Sequence, residues 1–141
     1  MMREAAHLSF EARVLAADGA IMPAIYGPEP SHGWCYYFEQ AHLAAQVGDW
    51  QAVASLGDEA FRIDDYPNDP MERFVFIEGY AHTDEWRRAV ELSGESFRVS
   101  RPYMGPLLCK LWSRIERETA STPERDRTLV EVKSLLACAG E

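Results

Sequence analysis

From Trp34 onward, apolar residues recur every three or four positions, the spacing that gathers side chains on one face of an α-helix. Trp34, Tyr37, Phe38, Ala41 and Ala45 make the first stripe, and "VGDW" at 47–50 breaks it. A second stripe follows at Trp50, Val53, Ala54, Ala60 and Phe61. Phe74, Ile77, Tyr80 and Ala81 make a third, and after "HTDEW" a fourth carries Trp86, Ala89, Val90 and Phe97. Pro102 and Pro106 then punctuate the chain before a fifth helix with Leu108, Leu111, Trp112 and Ile115, and a sixth turns Leu129, Val132 and Leu136 inward.

Helix starts carry their own chemistry. In "NDPME", Asp69 can cap, Pro70 suits the first helical position because its missing N–H is not needed there, and Glu72 completes a capping pattern. "STPE" repeats the device with Ser121 or Thr122 as cap and Pro123 just inside. Upstream, Pro23, Gly27, Pro28 and Pro30 in "MPAIYGPEP" block helix and central strand alike. The pattern therefore divides the chain into residues 1–30, a short helix and an extended arm, and residues 31–141, one helical domain. The arm reads either as a cap on an end repeat or as a linker.

Displaced by 36 residues, the chain matches itself: Phe38 falls on Phe74, Ala45 on Ala81, Trp50 on Trp86, Leu56 on Leu92, Glu59 on Glu95, Phe61 on Phe97 and Arg62 on Arg98. That period lies near the roughly 34 residues of tetratricopeptide hairpins, each of which needs a neighbour to cover its apolar face. The expected fold is all-α, an α-solenoid of about three tetratricopeptide-like helical hairpins with an N-terminal extended arm. "GDWQAV" resembles the turn of such a hairpin. The second copy has "TDEW" without the turn glycine and Ile77 where a small residue is usual, so its hairpin is expected to cross at a different angle.

Charge narrows the function. At 141 residues, with 47% hydrophobic and 26% charged positions, the chain suits one globular domain, and a net charge of −9 repels phosphate backbones and anionic lipid. No run of Lys and Arg offers a local exception, and nucleic acid is not an expected partner. Cys35, Cys109 and Cys138 are odd in number and widely spaced, which points to free thiols in a reducing compartment rather than a disulfide framework. No apolar run approaches the roughly 20 residues that cross a bilayer, and the first residues lack a signal-peptide core.

The segment "SHGWCYYFEQ" at 31–40 holds the most reactive-looking residues. His32, Cys35 and His42 could turn nitrogen and sulfur ligands to one side, but a structural zinc site typically wants four ligands and no CxxC pair is present. Cys35 reads instead as a small buried apolar residue, and its aromatic neighbours would raise a thiol's pKa rather than activate it. Asp64, Asp65, Asp69 and Glu72 cluster about a loop and a helix start, where acids solvate the surface and complement the helix dipole. Glycine-rich phosphate loops and the GxSxG nucleophile motif are absent. No catalytic residue, metal or cofactor is expected. Because Cys35, Tyr36 and Leu43 lie off the first stripe, that helix is apolar on more than one face and is expected to be buried between neighbours.

The string "IYGPEPSHGWCYYFEQAHLAAQVGDW", with "LGDEAF", "DYPNDPMERFVFIEGYAHTDEW" and "LLCKLW", resembles the C-terminal soluble domain of polytopic bacterial membrane proteins of cyanobacteria and Chloroflexi-type bacteria, often labelled glycosyltransferase-like. The likeness runs from about Leu8 to Trp112. It implies a tail of a larger membrane protein, or a free-standing relative, and it brings no catalytic residues; the expected location is the cytoplasmic side, with membrane tethering in a parent protein.

Together these readings lead to a non-catalytic helical-repeat domain for protein–protein interaction or regulation. In tetratricopeptide-type hairpins the first helix of each pair lines the groove, which here selects Phe38, His42, Met71, Phe74, Glu78 and His82. Phe38, Phe74 and Met71 would form an apolar floor, with His42, Glu78 and His82 as polar directors; equally, Phe38 and Phe74 would pack hairpin on hairpin. The expected partner is a protein or peptide, including the membrane portion of a parent protein. The alternatives are an accessory domain acting directly in a membrane glycosyltransferase, and a small metal-binding or hydrolytic enzyme.

Overall fold

The computed structural model describes residues 27, 28 and 30–139. The chain divides into two units, Met1–Ser31 and His32–Glu141. Of the first, Gly27, Pro28, Pro30 and Ser31 are described; the predicted short helix and most of the predicted arm lie outside the described residues. The second unit is built from helices α1 (Trp34–Gln46), α2 (Trp50–Ala60), α3 (Phe74–His82), α4 (Trp86–Val99), α5 (Arg101–Glu118) and α6 (Pro123–Leu135), with a 3₁₀ turn at Pro70–Arg73 leading into α3. No strand occurs among the described residues, and none of their helices is long and apolar enough to cross a membrane.

Each helix packs on the next one in the chain, and α1 also meets α3, α3 meets α5, and α4 meets α6. The 36-residue displacement is written into the backbone. Helices α1, α3 and α5 end at Gln46, His82 and Glu118, each 36 residues after the last, and α2 and α4 begin 36 apart at Trp50 and Trp86. Gly48 closes the first turn in the left-handed region at φ 71°, and Asp84, 36 residues on, does so at φ 63°. The turn hydrogen bonds repeat with it. Gly48 N–H donates to Ala45 C=O at 3.0 Å and Asp49 N–H to Ala44 C=O at 3.0 Å; Asp84 N–H donates to Ala81 at 3.3 Å and Glu85 N–H to Tyr80 at 2.8 Å. Aspartate tolerates the left-handed conformation better than most side chains, so the missing glycine leaves this turn's backbone unchanged.

The third turn is held differently. Arg125, buried at the start of α6, donates from Nε to Thr119 Oγ1 at 3.0 Å, from Nη1 to Asp126 Oδ1 at 2.8 Å, and from Nη2 to the Glu116 carbonyl. Thr122 caps α6 by accepting from Arg125 N–H at 3.1 Å.

The core joins all six helices. Trp34, Phe76, Ile77, Tyr80, Leu108, Trp112 and Ile115 are essentially buried. The Trp34 ring meets Phe61 and Phe76 edge-to-face, with centroids 5.3 and 5.4 Å away. Helix α1 has no capping side chain at Gly33; the α2–α3 loop supplies one, Asp65 Oδ2 accepting from Trp34 N–H at 2.6 Å. Glu72 holds the same residue, accepting from the indole N–H at 2.6 Å. Its second partner is Asn68 N–H at 3.2 Å, so the expected capping pattern on Asp69 is replaced by one reaching a residue further back, while Asp69 caps Met71 N–H at 2.8 Å. In the far half, Trp112 Nε1–H donates to Ser93 Oγ at 2.9 Å and that hydroxyl donates to Ala89 C=O at 2.8 Å, which satisfies the buried indole.

Four expectations are corrected. Pro102 and Pro106 do not precede the fifth helix but belong to it: Pro102 sits in the first turn, where its N–H is not needed, and Pro106 lies further in on the exposed side. Cys109 and Cys138 are not free thiols but form a disulfide, because the chain turns back after α6 at Ala137 (φ 54°) and brings residues 29 apart in sequence within 5.7 Å between Cα atoms. Cys35 is exposed rather than a buried apolar residue. Tyr36 and Leu43 are likewise exposed, so the second apolar face of α1 is not covered by a neighbouring helix of this unit. The two turn tryptophans also differ: Trp50 is half-buried and Trp86 is buried.

Candidate functional site

Helices α1, α3 and α5 end in 36-residue steps, so side chains 36 apart lie at the same distance from these helix ends. Two such pairs touch. Arg114 of α5 donates to Glu78 of α3, and His82 Nε2 lies 3.3 Å from Glu118 Oε2. Trp50, opening α2, stacks its ring flat on His82 at 4.1 Å with 5° between planes, which fixes the imidazole's orientation. Burial pushes the Glu78 carboxyl above its ordinary range, and the Arg114 guanidinium beside it pulls the other way.

Of the six residues expected in a groove, Glu78 and His82 come together here, with Glu118. Phe38 and His42 form a separate edge-to-face pair with centroids 4.5 Å apart on α1. Met71 is exposed, its sulfur 4.0 Å from the Tyr103 hydroxyl. Phe74 is half-buried and faces a third place, the outer side of α5. The ligand atoms of Glu78, His82 and Glu118 all lie within 4.8 Å of one another, a nitrogen and two oxygens of the kind that hold a divalent metal. In this arrangement Arg114 already supplies a positive charge to Glu78. The residues weighed as zinc ligands from sequence sit elsewhere: His32 stacks on Tyr36 at 3.5 Å, and Cys35 is exposed in the first turn of α1.

Sequence reasoning missed the surface beside Phe74. An open groove of about 1340 Å³ runs along the outer side of α5, flanked by Phe74 and by the segment that follows α6. Arg101, Lys110, Arg114, Arg117 and Lys133 line it, and no Asp or Glu among the described residues does. The signal was present but scattered: Lys110, Arg114 and Arg117 follow the i, i+4, i+7 spacing of one helical stripe, and Lys133 joins them from α6 only once the chain has folded. A second groove, about 740 Å³ between α4 and α6, mixes Arg87, Arg98 and Arg101 with Glu91, Glu124 and Glu131.

No protein-family model, no curated protein and no solved structure matches this chain.

Proposed function

We propose that His32–Glu141 is a tetratricopeptide-like α-solenoid of three helical hairpins, α1/α2, α3/α4 and α5/α6, acting as a non-catalytic module that binds a protein or peptide along the face of its first helices. The observation that carries this reading is the in-register coupling of α3 to α5, where both Glu78–Arg114 and His82–Glu118 join residues 36 apart. Parallel, equivalent helices held at a fixed step give a surface of repeated character, suited to an extended chain rather than to a compact substrate. Phe74 offers apolar contact beside that surface, and Glu78, His82 and Arg114 offer directed polar contact. The sequence resemblance adds that the bound protein belongs to the membrane portion of a larger protein of the same type.

A random peptide library presented to the intact chain tests this. Enriched peptides should shift the amide resonances of α3 and α5, and H82A or R114A should weaken them about tenfold, as for polar residues at the centre of a peptide interface. Peptides that enrich but perturb only α2 or α6 would sink the proposed face.

A further inference from the structure

We infer that the groove along α5 is a binding site for an acidic peptide, one with two carboxylate side chains about three residues apart and apolar side chains between them. This rests on the peptide-binding reading above and names the chemistry of the partner.

The charge distribution carries the inference. The chain has 23 acidic residues against 14 basic ones, yet among the described residues five cations and no carboxylate line this groove. The groove between α4 and α6 carries both signs, so segregation is a property of this surface and not of the molecule's surface at large. Two of the five cations have partners: Arg114 with Glu78, and Lys133 with Glu116 at 2.6 Å. Arg101 lies over the Phe97 ring at 5.7 Å. Lys110 and Arg117 are exposed, and neither makes an ion pair with a described residue. They are the positions with charge to offer.

The groove also has an apolar floor. Phe74, Phe97, Leu107 and Leu111 contribute to its wall, and a polyphosphate has nothing to bury against them. The net charge of −9 opposes a long polyanion as well, while a short acidic peptide meets mainly the local field. At about 1340 Å³ the groove exceeds the roughly 300–1,000 Å³ of small-molecule pockets, which favours a stretch of chain. Lys110 and Arg117 are seven residues apart on one helix, about 10.5 Å along its axis. An extended peptide spans that distance in about three residues, the repeat of a polyproline II helix. The expected motif is therefore acidic-x-x-acidic with apolar residues between.

Fluorescence anisotropy on the full chain tests the assignment, using labelled peptides of about 12 residues that carry Glu-x-x-Glu with leucines between, and the same peptides with Gln or Lys in place of Glu. The Glu peptide should saturate, binding at least about tenfold tighter than the Gln peptide and weakening as salt rises from about 50 to 300 mM, with the Lys peptide not binding. K110E/R117E changes two exposed side chains, so its thermal midpoint should match the parent's while binding of the Glu peptide falls at least about tenfold. Equal binding of the Glu and Gln peptides would overturn the acidic assignment and leave the peptide-binding reading standing. Binding by no peptide of any charge would remove both. Tighter binding of a single-stranded oligonucleotide of the same charge would show the partner class to be wrong. Salt-sensitive self-association abolished by K110E/R117E would mean that the occupant is a second copy of the chain.

Discussion

Gly79 occupies the closest approach between α2 and α3. A methyl group there would run into Val53 Cγ1 and stand 2.9 Å from Val53 Cβ and 3.3 Å from the Ala54 amide nitrogen, and the last of these is backbone that cannot swing aside. G79A should therefore destabilise the domain by about 1–3 kcal/mol through overpacking, although alanine is the better helix former. Shortening Val53 removes its Cγ1, the nearest of these atoms, so V53A/G79A should cost less than the two single changes added together, measured by urea unfolding as a double-mutant cycle. Equal or greater than additive loss would mean that the contact is elsewhere. At this scale the sequence was only half legible. The stripes named Trp34, Ile77, Tyr80 and Trp112 as interior, and they are buried. The partners of Trp34, at separations of 31 and 38 residues, depend on where the α2–α3 loop returns, and no local spacing encodes that.

Between elements, the Glu78–Arg114 pair ties α3 to α5, and its dependence on pH follows from burial. Desolvation is the largest influence on Glu78 and raises its pKa above the ordinary 4.5, with Arg114 lowering it in part. A folded pKa above the unfolded one means that the folded state binds the proton more tightly. Glu78's contribution to stability is thus greatest below about pH 4.5 and falls as pH rises through its folded pKa. Removing Arg114 takes away the compensating charge, so R114Q should cost about 1 kcal/mol at neutral pH, the scale of a partly exposed ion pair, and little at pH 4. In an E78Q background the same change should cost little at either pH. Urea midpoints at about pH 4 and 7 for the four proteins decide it; a pH-independent R114Q penalty would mean that the arginine acts through packing. The 36-residue displacement that makes this pair was visible in the sequence, because Phe38/Phe74 and Trp50/Trp86 repeat identical residues. The basic stripe was present only in scattered form, since residues 111–113 and 115–116 separate its members along the chain and only a helix, with α6 laid beside it, sets them together.

Over the whole domain, order need not be uniform, because α6 packs chiefly on α4 and α5. Its buried residues are Arg125, Thr128, Leu129 and Val132, two of them polar, with Leu136 just beyond, and the Cys109–Cys138 disulfide fastens the end of that segment to α5. Three widely spaced cysteines suggested free thiols; what linear spacing could not convey is that the chain reverses at Ala137, with Cys138 N–H donating to Lys133 C=O at 2.9 Å. A link between residues 29 apart should contribute about 3.5 kcal/mol, mainly by restricting the unfolded chain. Because α6 packs chiefly on α4 and α5, a loss at that end need not reach α1, α2 and α3. Reduction, or C109S/C138S, should accordingly raise amide hydrogen exchange across residues 120–139 first, while α2 and α3, packed about Val53, Phe76 and Tyr80, keep their protection. Arg125 gives an independent handle on the same segment, because its three hydrogen bonds hold the α5–α6 turn whatever the redox state. R125A in the oxidised protein should loosen the turn but leave Cys138 tethered, and R125A with the disulfide reduced should release α6 altogether. Exchange rising together in all helices on reduction would instead mean that the six helices unfold as one cooperative body, with no preference for α6.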